Sequence, residues 1–263
     1  METRHDRATW KKAAFEEYQS SAGEYAASRD EDPHLVAQLT IASEMLRGEH
    51  GRTLDLGCGT GSAFHMLRTR EFEVVGIDMS SRMLAVAKQR YADDRRIQVS
   101  LGDAEFLPFA AASFDAVTCL GVFESLPDYA PTLREIARVL RPGGLLVLSV
   151  PSRISPYHIT HDVAQATVWR AWRAVKPILR RGAPATSAPG MRRHRCIPWR
   201  LRSELARCGL APERDAYTDF RVYPFDWLWP RADRALSELL KRMSVVRVVA
   251  CTGCQYMVSA RRV

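Results

Sequence analysis

No stretch of this sequence is apolar for the roughly 18 uncharged residues that a membrane-spanning helix needs. The opening residues, METRHDRATWKKAAFEEY, hold no apolar segment of the signal-peptide kind, and the expectation is a cytoplasmic protein. Cysteine is sparse, with six scattered among 263 residues. A single C-x-x-C, Cys251 and Cys254, has no second ligand pair at similar spacing, which argues for buried strand thiols over zinc or redox work, with no metal site expected. Internal repeats are also missing. Acidic residues nearly vanish between 151 and 202, where 11 Lys and Arg face Asp162 alone.

That last shortage splits the chain electrostatically. Residues 1–150 carry net charge −5, while residues 151–263 carry +13. The basic half points to an anionic surface or partner, or else to a solvated basic face.

What is present is an alternation of short apolar runs and amphipathic segments. TLDLG (53–57) reads as a buried strand, SAFHMLRTR as a helix, EVVGID (73–78) as a strand, and SRMLAVAKQRYA as a helix capped by Ser80. Strands at 97–103 and 114–121 follow, then a helix at 131–140, the turn RPGG and a strand at 145–150. This rhythm predicts a parallel sheet covered on both faces. After a break beyond Pro151, a helix PWRLRSELARCG, a strand near ERDAYTDFRV, a helix RADRALSELLKRM and a strand CQYMVSARR are expected.

The segment DLGCGTG places Gly57, Gly59 and Gly61 in a strand-to-helix turn, where missing Cβ atoms let a ligand approach the backbone. Such a turn serves NAD, FAD, nucleotide phosphates or S-adenosylmethionine (SAM). Dinucleotide sites use G-x-G-x-x-G, whereas the pattern here is D-x-G-x-G-x-G. Asp55 would repel a pyrophosphate and attract an ammonium group. Asp78 and Asp103 close the next two strands, where ligands sit in open parallel sheets; there they suit ribose hydroxyls and an adenine amino group.

TLDLGCGTGS, VVGIDMSSRMLAVAK, GDAEFLPFAAASFDAVTCLGVFESLPD and LREIARVLRPGGLLVLSVP together resemble the class I SAM-dependent methyltransferases, in particular the group that includes the ubiquinone and menaquinone biosynthesis methyltransferases. The resemblance covers about residues 50–151. It implies an α/β, Rossmann-like fold with a seven-stranded, mostly parallel sheet and helices on both faces. It also implies that Asp55, Gly57, Cys58, Gly59 and Gly61 line the methionine portion of SAM. Asp78 would take the ribose, Met79 an adenine face, Asp103 and Ala104 the adenine edge, and Leu120 a backbone contact near the amino acid. Ser125 stands where the family often has histidine. On this reading residues 1–49 form an N-terminal helical lid, 50–151 the SAM-binding core, 152–197 a basic insertion over the acceptor, and 198–263 the completion of the same domain.

The insertion holds Val168, Trp172, Val175 and Leu179 on one helical face, with Arg170, Arg173, Lys176, Arg180 and Arg181 beside and behind it. Such a helix covers a core or lies on an anionic membrane, here the inner face. A second aromatic cluster, Phe225, Trp227 and Trp229, suits packing or an apolar acceptor tunnel. The acceptor expected is a hydrophobic small molecule or lipid-like compound, methylated on oxygen, with His194, His158 or His161 as candidate bases beside Glu124. His194 is similar in setting to a histidine of the quinone-type O-methyltransferases. An RNA or other nucleic-acid methyltransferase is the alternative, but the (Asp/Asn)-Pro-Pro-aromatic motif of base amino-methylating enzymes is replaced by LGVF, and no Pro-Cys motif occurs. A non-catalytic binding protein of the same fold is the other alternative, and a dehydrogenase the remotest. Oligomeric state is not set by these motifs.

Overall fold

The computed structural model describes residues 9–20, 32–126, 128–163, 194–220, 230–243 and 252–263. A seven-stranded sheet forms the centre, in the order β3-β2-β1-β4-β5-β7-β6. Its strands are β1 (Arg52–Leu56), β2 (Glu73–Asp78), β3 (Ile97–Leu101), β4 (Phe114–Leu120), β5 (Leu140–Pro151), β6 (Leu210–Thr218) and β7 (Gln255–Arg262). The first five pair in parallel, and β7 runs antiparallel to both its neighbours.

Helices cover both faces, as the apolar runs require. The described helices are α1 (9–20), α2 (Pro33–Met45), α3 (Phe64–Thr69), α4 (Ser81–Arg90), α5 (Ala130–Val139), α6 (156–163), α7 (Pro198–Arg207) and α8 (Pro230–Met243). On one face Ala42, Met45, Phe64 and Leu67 pack with Val147 and Met257. On the other, Leu133, Ile136, Leu201 and Leu205 pack with Leu146, Leu148 and Val258. Ser80 caps α4 as expected, its hydroxyl accepting the Met83 N–H at 3.2 Å. Among the described residues no helix is long and apolar enough to cross a membrane.

Several boundaries differ from the sequence reading. RPGG is part of β5, because Leu140 already pairs with Phe114 and the register shifts before Ala116 meets Leu145; Gly143, at φ +79°, absorbs the irregularity. Strand β6 starts at Leu210, directly after Gly209 at φ +77°. His158 and His161 lie on a helix.

The insertion returns to the sheet where it leaves it. Ser152 bridges Cys196, the Arg153 N–H donates to the Cys196 carbonyl, and the Cys196 N–H donates to the Pro151 carbonyl, both at 2.8 Å. These bonds carry His194 to the carboxyl end of β5. The basic amphipathic face (168–181) and the aromatic cluster at 225–229 lie outside the described residues, as does Cys251. Cys254 is buried, with the Ser155 hydroxyl 3.6 Å from its sulfur.

Candidate active site

At the carboxyl ends of β1 to β4 a cleft of about 820 Å³, partly open to solvent, is lined by Gly57, Gly59, Asp78, Met79, Asp103, Ala104 and Leu120 among others. Seven of the ten residues expected to hold cofactor therefore meet around one space. The turn after β1 makes the floor: Gly57, Gly59 and Gly61 all take positive φ. A Cβ on Gly57 would stand 2.1 Å from Val122 Cγ2, so a side chain is excluded by space as well as by conformation.

Asp78 is fixed by backbone donors. The Gly59 N–H reaches Oδ2 at 2.9 Å and the Ser80 N–H reaches Oδ1 at 2.8 Å. Burial pushes its carboxyl above the ordinary value, and these bonds pull the other way. A carboxylate has about four lone-pair sites, so each oxygen keeps capacity for a ligand hydroxyl.

The other three expected residues are not among those that line this cleft. Asp55 is buried and accepts the Thr118 hydroxyl at 2.7 Å. Burial pushes it up to about 7, against the Thr118 bond and with some help from the Asp78 charge. Strand β1 points its side chain into the sheet's packing. The Cys58 side chain sits below Gly76, whose missing Cβ would come within 2.8 Å of its sulfur, and burial raises its thiol well above the ordinary value. Gly61 makes room for Phe64 and Tyr91, and its carbonyl accepts the Tyr91 hydroxyl at 3.0 Å.

A wall comes from α1, in the segment expected to be helical, though the sequence reading named none of its lining residues. Lys11, Ala14 and Tyr18 line the cleft. The Lys11 ammonium lies 2.6 Å from Asp103 and 2.7 Å from Glu105. The Trp10 indole N–H donates to the Ser125 carbonyl at 3.0 Å, and the Tyr18 and Ser125 hydroxyls are 3.1 Å apart. Gln19 accepts from the Ser80 hydroxyl at 2.6 Å. The 3,4 spacing of positions 11, 14 and 18 is the signal that marks this helix face. Ser125, the departure from the family's histidine, is thus an anchor for α1.

His158 and His161 both stand against the Tyr157 ring, at 5.4 and 5.9 Å, whereas His194 packs on other rings. His194 donates its backbone N–H to the Glu124 carbonyl at 2.7 Å, and its ring stands 4.7 Å from Trp10 and 6.4 Å from Tyr129. Its Nε2 is buried without a hydrogen-bond partner among the described residues. The His158 Nδ1 is 2.9 Å from the Ser152 carbonyl, and burial lowers its pKa, against the Ser152 bond. His161 stacks on Tyr157 at 5.9 Å and lies 3.7 Å from Asp162, whose carboxylate takes Arg195 at 2.6 Å.

SAM suits this donor and acceptor set. Fixed carboxylates at two successive strand ends stand beside a glycine floor that admits no side chain. Gly57 and Gly59 would hold the amino-acid end, Asp78 the ribose, and Asp103 with Met79 the adenine. When bound, SAM supplies an electrophilic methyl group.

Known proteins agree with this architecture. The methyltransferase domain family matches residues 54–148. Demethylmenaquinone methyltransferase of Staphylococcus saprophyticus is 37% identical over 119 residues, covering 44% of this chain and 51% of its own. Its counterpart in Deinococcus radiodurans is 44% identical over 110 residues, covering 41% and 46%. The chain thus spans about half the length of these curated relatives. A Thermotoga maritima SAM-dependent methyltransferase described as a possible histamine N-methyltransferase superposes with a TM-score of 0.60 at 17% identity, over 94% of this chain and 98% of that one. Residues 54–148 of this chain match the methyltransferase-domain family, and the seven-stranded sheet has the Rossmann-like fold of the solved methyltransferase it superposes on.

Proposed function

We propose that this chain is a SAM-dependent methyltransferase whose acceptor is a hydrophobic, hydroxylated aromatic molecule of the quinol type. The observation that carries the reading is the convergence of Gly57 and Gly59, Asp78 and Asp103 from three successive strands on one cleft. The relatives' names supply the acceptor class: both are demethylmenaquinone methyltransferases.

The chain's own contribution is placement and proton handling. Glycine backbone and two carboxylates orient the donor, and α1 closes the adenine side as a lid, excluding water. A hydroxyl acceptor needs a base at the far end of the cleft, for which His158, His194 and His161 are the histidines the sequence offers. Methylation on oxygen is the primary assignment. Deprotonation of a quinol also activates its ortho ring carbon, and product analysis separates the two.

The experiment is incubation with methyl-labelled SAM and a panel of acceptors: demethylmenaquinol, simpler dihydroxynaphthalenes, and an unmodified RNA. Label in a quinol or phenol product, resolved as ether or ring methyl by NMR, supports the assignment. Label in RNA alone, or in nothing, refutes it.

The excess of 11 basic residues over Asp162 in 151–202 further supports reversible attachment to anionic membrane, where a lipid-like acceptor would reside.

A further inference from the structure

The turn after β4 meets α1 across the cleft in a polar contact set among apolar groups. Tyr18, Val122, Ser125 and Leu126 line that end of the space. The polar side-chain atoms these four bring are two hydroxyl oxygens, those of Tyr18 and Ser125, which lie 3.1 Å apart. Ser125 is fixed through its backbone, so its hydroxyl is not spent on holding the turn. Its N–H donates to the Val122 carbonyl at 2.8 Å, closing the 3₁₀ turn Phe123–Ser125, and its carbonyl accepts the Trp10 indole N–H at 3.0 Å.

This end abuts the glycine floor. Val122 packs onto Gly57, where an added Cβ would meet its Cγ2 at 2.1 Å. Ser125 stands one 3₁₀ turn further on, about 6 Å along at roughly 2.0 Å per residue. The strand order β3-β2-β1-β4 lays Asp103, Asp78 and the glycines side by side, and the β4 end is the next space beside the donor's amino-acid half. An acceptor seated there lies against the donor within the same cleft.

We propose that the Tyr18–Ser125 hydroxyl pair recognises the acceptor's O–H group and turns its oxygen toward the donor methyl. The inference rests on the methyltransferase reading above and names the residues that would select a hydroxylated acceptor. A serine hydroxyl has one O–H and two lone pairs, and among the described residues the Ser125 hydroxyl engages Tyr18 alone. Whichever oxygen donates within the pair, Ser125 therefore keeps a lone pair that can accept a ligand O–H. An acceptor bonded in this way keeps its own oxygen lone pairs for the methyl group. A molecule of the same shape without the O–H leaves a polar pair unmatched in an apolar wall, which is the strongest basis a site has for rejecting it. Val122 and Leu126 receive the ring system of either molecule.

Calorimetry on the protein saturated with S-adenosylhomocysteine tests the pair without relying on turnover. The probes are 1,4-dihydroxynaphthalene, kept reduced, and 1,4-dimethylnaphthalene, which has nearly the same shape and no O–H. The parent is expected to bind the diol at least 10-fold more tightly than the hydrocarbon. Ser125→Ala and Tyr18→Phe are each expected to weaken diol binding about 10-fold, as loss of one hydrogen bond in a desolvated site does, while hydrocarbon binding and S-adenosylhomocysteine affinity stay within about 2-fold of the parent. Ser125→Thr, which returns a hydroxyl, is expected to restore the preference. An undiminished preference in both variants overturns the pair and leaves the methyltransferase reading standing. A 10-fold loss of S-adenosylhomocysteine affinity with the preference intact also overturns it, assigning the hydroxyls to the donor. A parent that binds S-adenosylhomocysteine but not the diol overturns the quinol acceptor and the pair together, and a parent that does not bind S-adenosylhomocysteine overturns the methyltransferase reading itself.

Discussion

The two ends of the sheet's carboxyl edge are built on different principles. Over β1 to β3 the cleft is a backbone object: glycines at positive φ, amides bonded to Asp78, and carboxylates fixed by their place at strand ends. Over β5 to β6 the edge is a side-chain object, made from residues far apart in sequence: His34 with Asp219, His158 on the Ser152 carbonyl, and His194 between two aromatic rings. A backbone cradle accepts one ligand shape and tolerates little change. A side-chain wall can be re-lined without disturbing the sheet, which is how one fold serves many acceptors.

The sharpest way to break this contrast is to give the cradle a side chain. Gly57→Val would force a β-branched residue to φ +70° against Val122. The expected result is loss of S-adenosylhomocysteine binding by 100-fold or more, with about 1–3 kcal/mol lost from stability. Retained affinity by calorimetry would mean that the turn is not the floor of the site.

A pH experiment probes the burial of Asp55. The Asp55 carboxyl titrates near 7 in the fold against an ordinary 3.8, so between about pH 4 and 7 the folded protein holds a proton that the unfolded chain has released. Its contribution to stability is full below about pH 4 and is lost as pH rises to about 7, with a slope approaching 1.4 kcal/mol per pH unit at most. Melting temperatures from pH 5 to 8 are expected to fall more steeply in the parent than in Asp55→Asn. Parallel curves would contradict the burial argument.

Lys11→Met removes the cation shared by Asp103 and Glu105. About 1 kcal/mol of stability is expected to go, since Glu105 is left buried at 8% exposure while Lys11 and Asp103 keep contact with water. The deficit, read from urea unfolding, is expected to shrink in 1 M salt. A salt-independent deficit would assign α1 to apolar packing alone.

The mildest test concerns the basic insertion. Replacing Arg170, Arg173 and Lys176 with glutamate is expected to abolish low-salt sedimentation with anionic vesicles while leaving S-adenosylhomocysteine affinity unchanged. Equal binding of the parent to neutral and anionic vesicles would leave the segment as a cover for the acceptor.

The contrast also explains what the sequence could reveal. The succession of strands and helices, and Gly57, Gly59, Asp78 and Asp103 at the strand ends, were legible because a glycine spacing and a carboxylate closing an apolar run are local signals. Asp55 was expected at the methionine portion from its charge and the family resemblance; what the sequence did not reveal is that its side chain is buried on Thr118 and does not line the cleft. Lys11, Ala14 and Tyr18 were missed because helix spacing does not say what a helix face covers. Tyr18 and Ser125 carry no joint signature at all; only the meeting of α1 with the turn after β4 unites them.

The central claim is that the strand-end carboxylates hold SAM, and titration calorimetry on the parent and on Asp78→Ala tests it most directly. Saturable binding of S-adenosylhomocysteine but not NADH is predicted for the parent. Affinity is predicted to weaken about 10- to 100-fold in Asp78→Ala, as expected when ribose hydroxyls lose a charged acceptor. Unchanged affinity in that variant, or a parent that binds NADH and not S-adenosylhomocysteine, would contradict it.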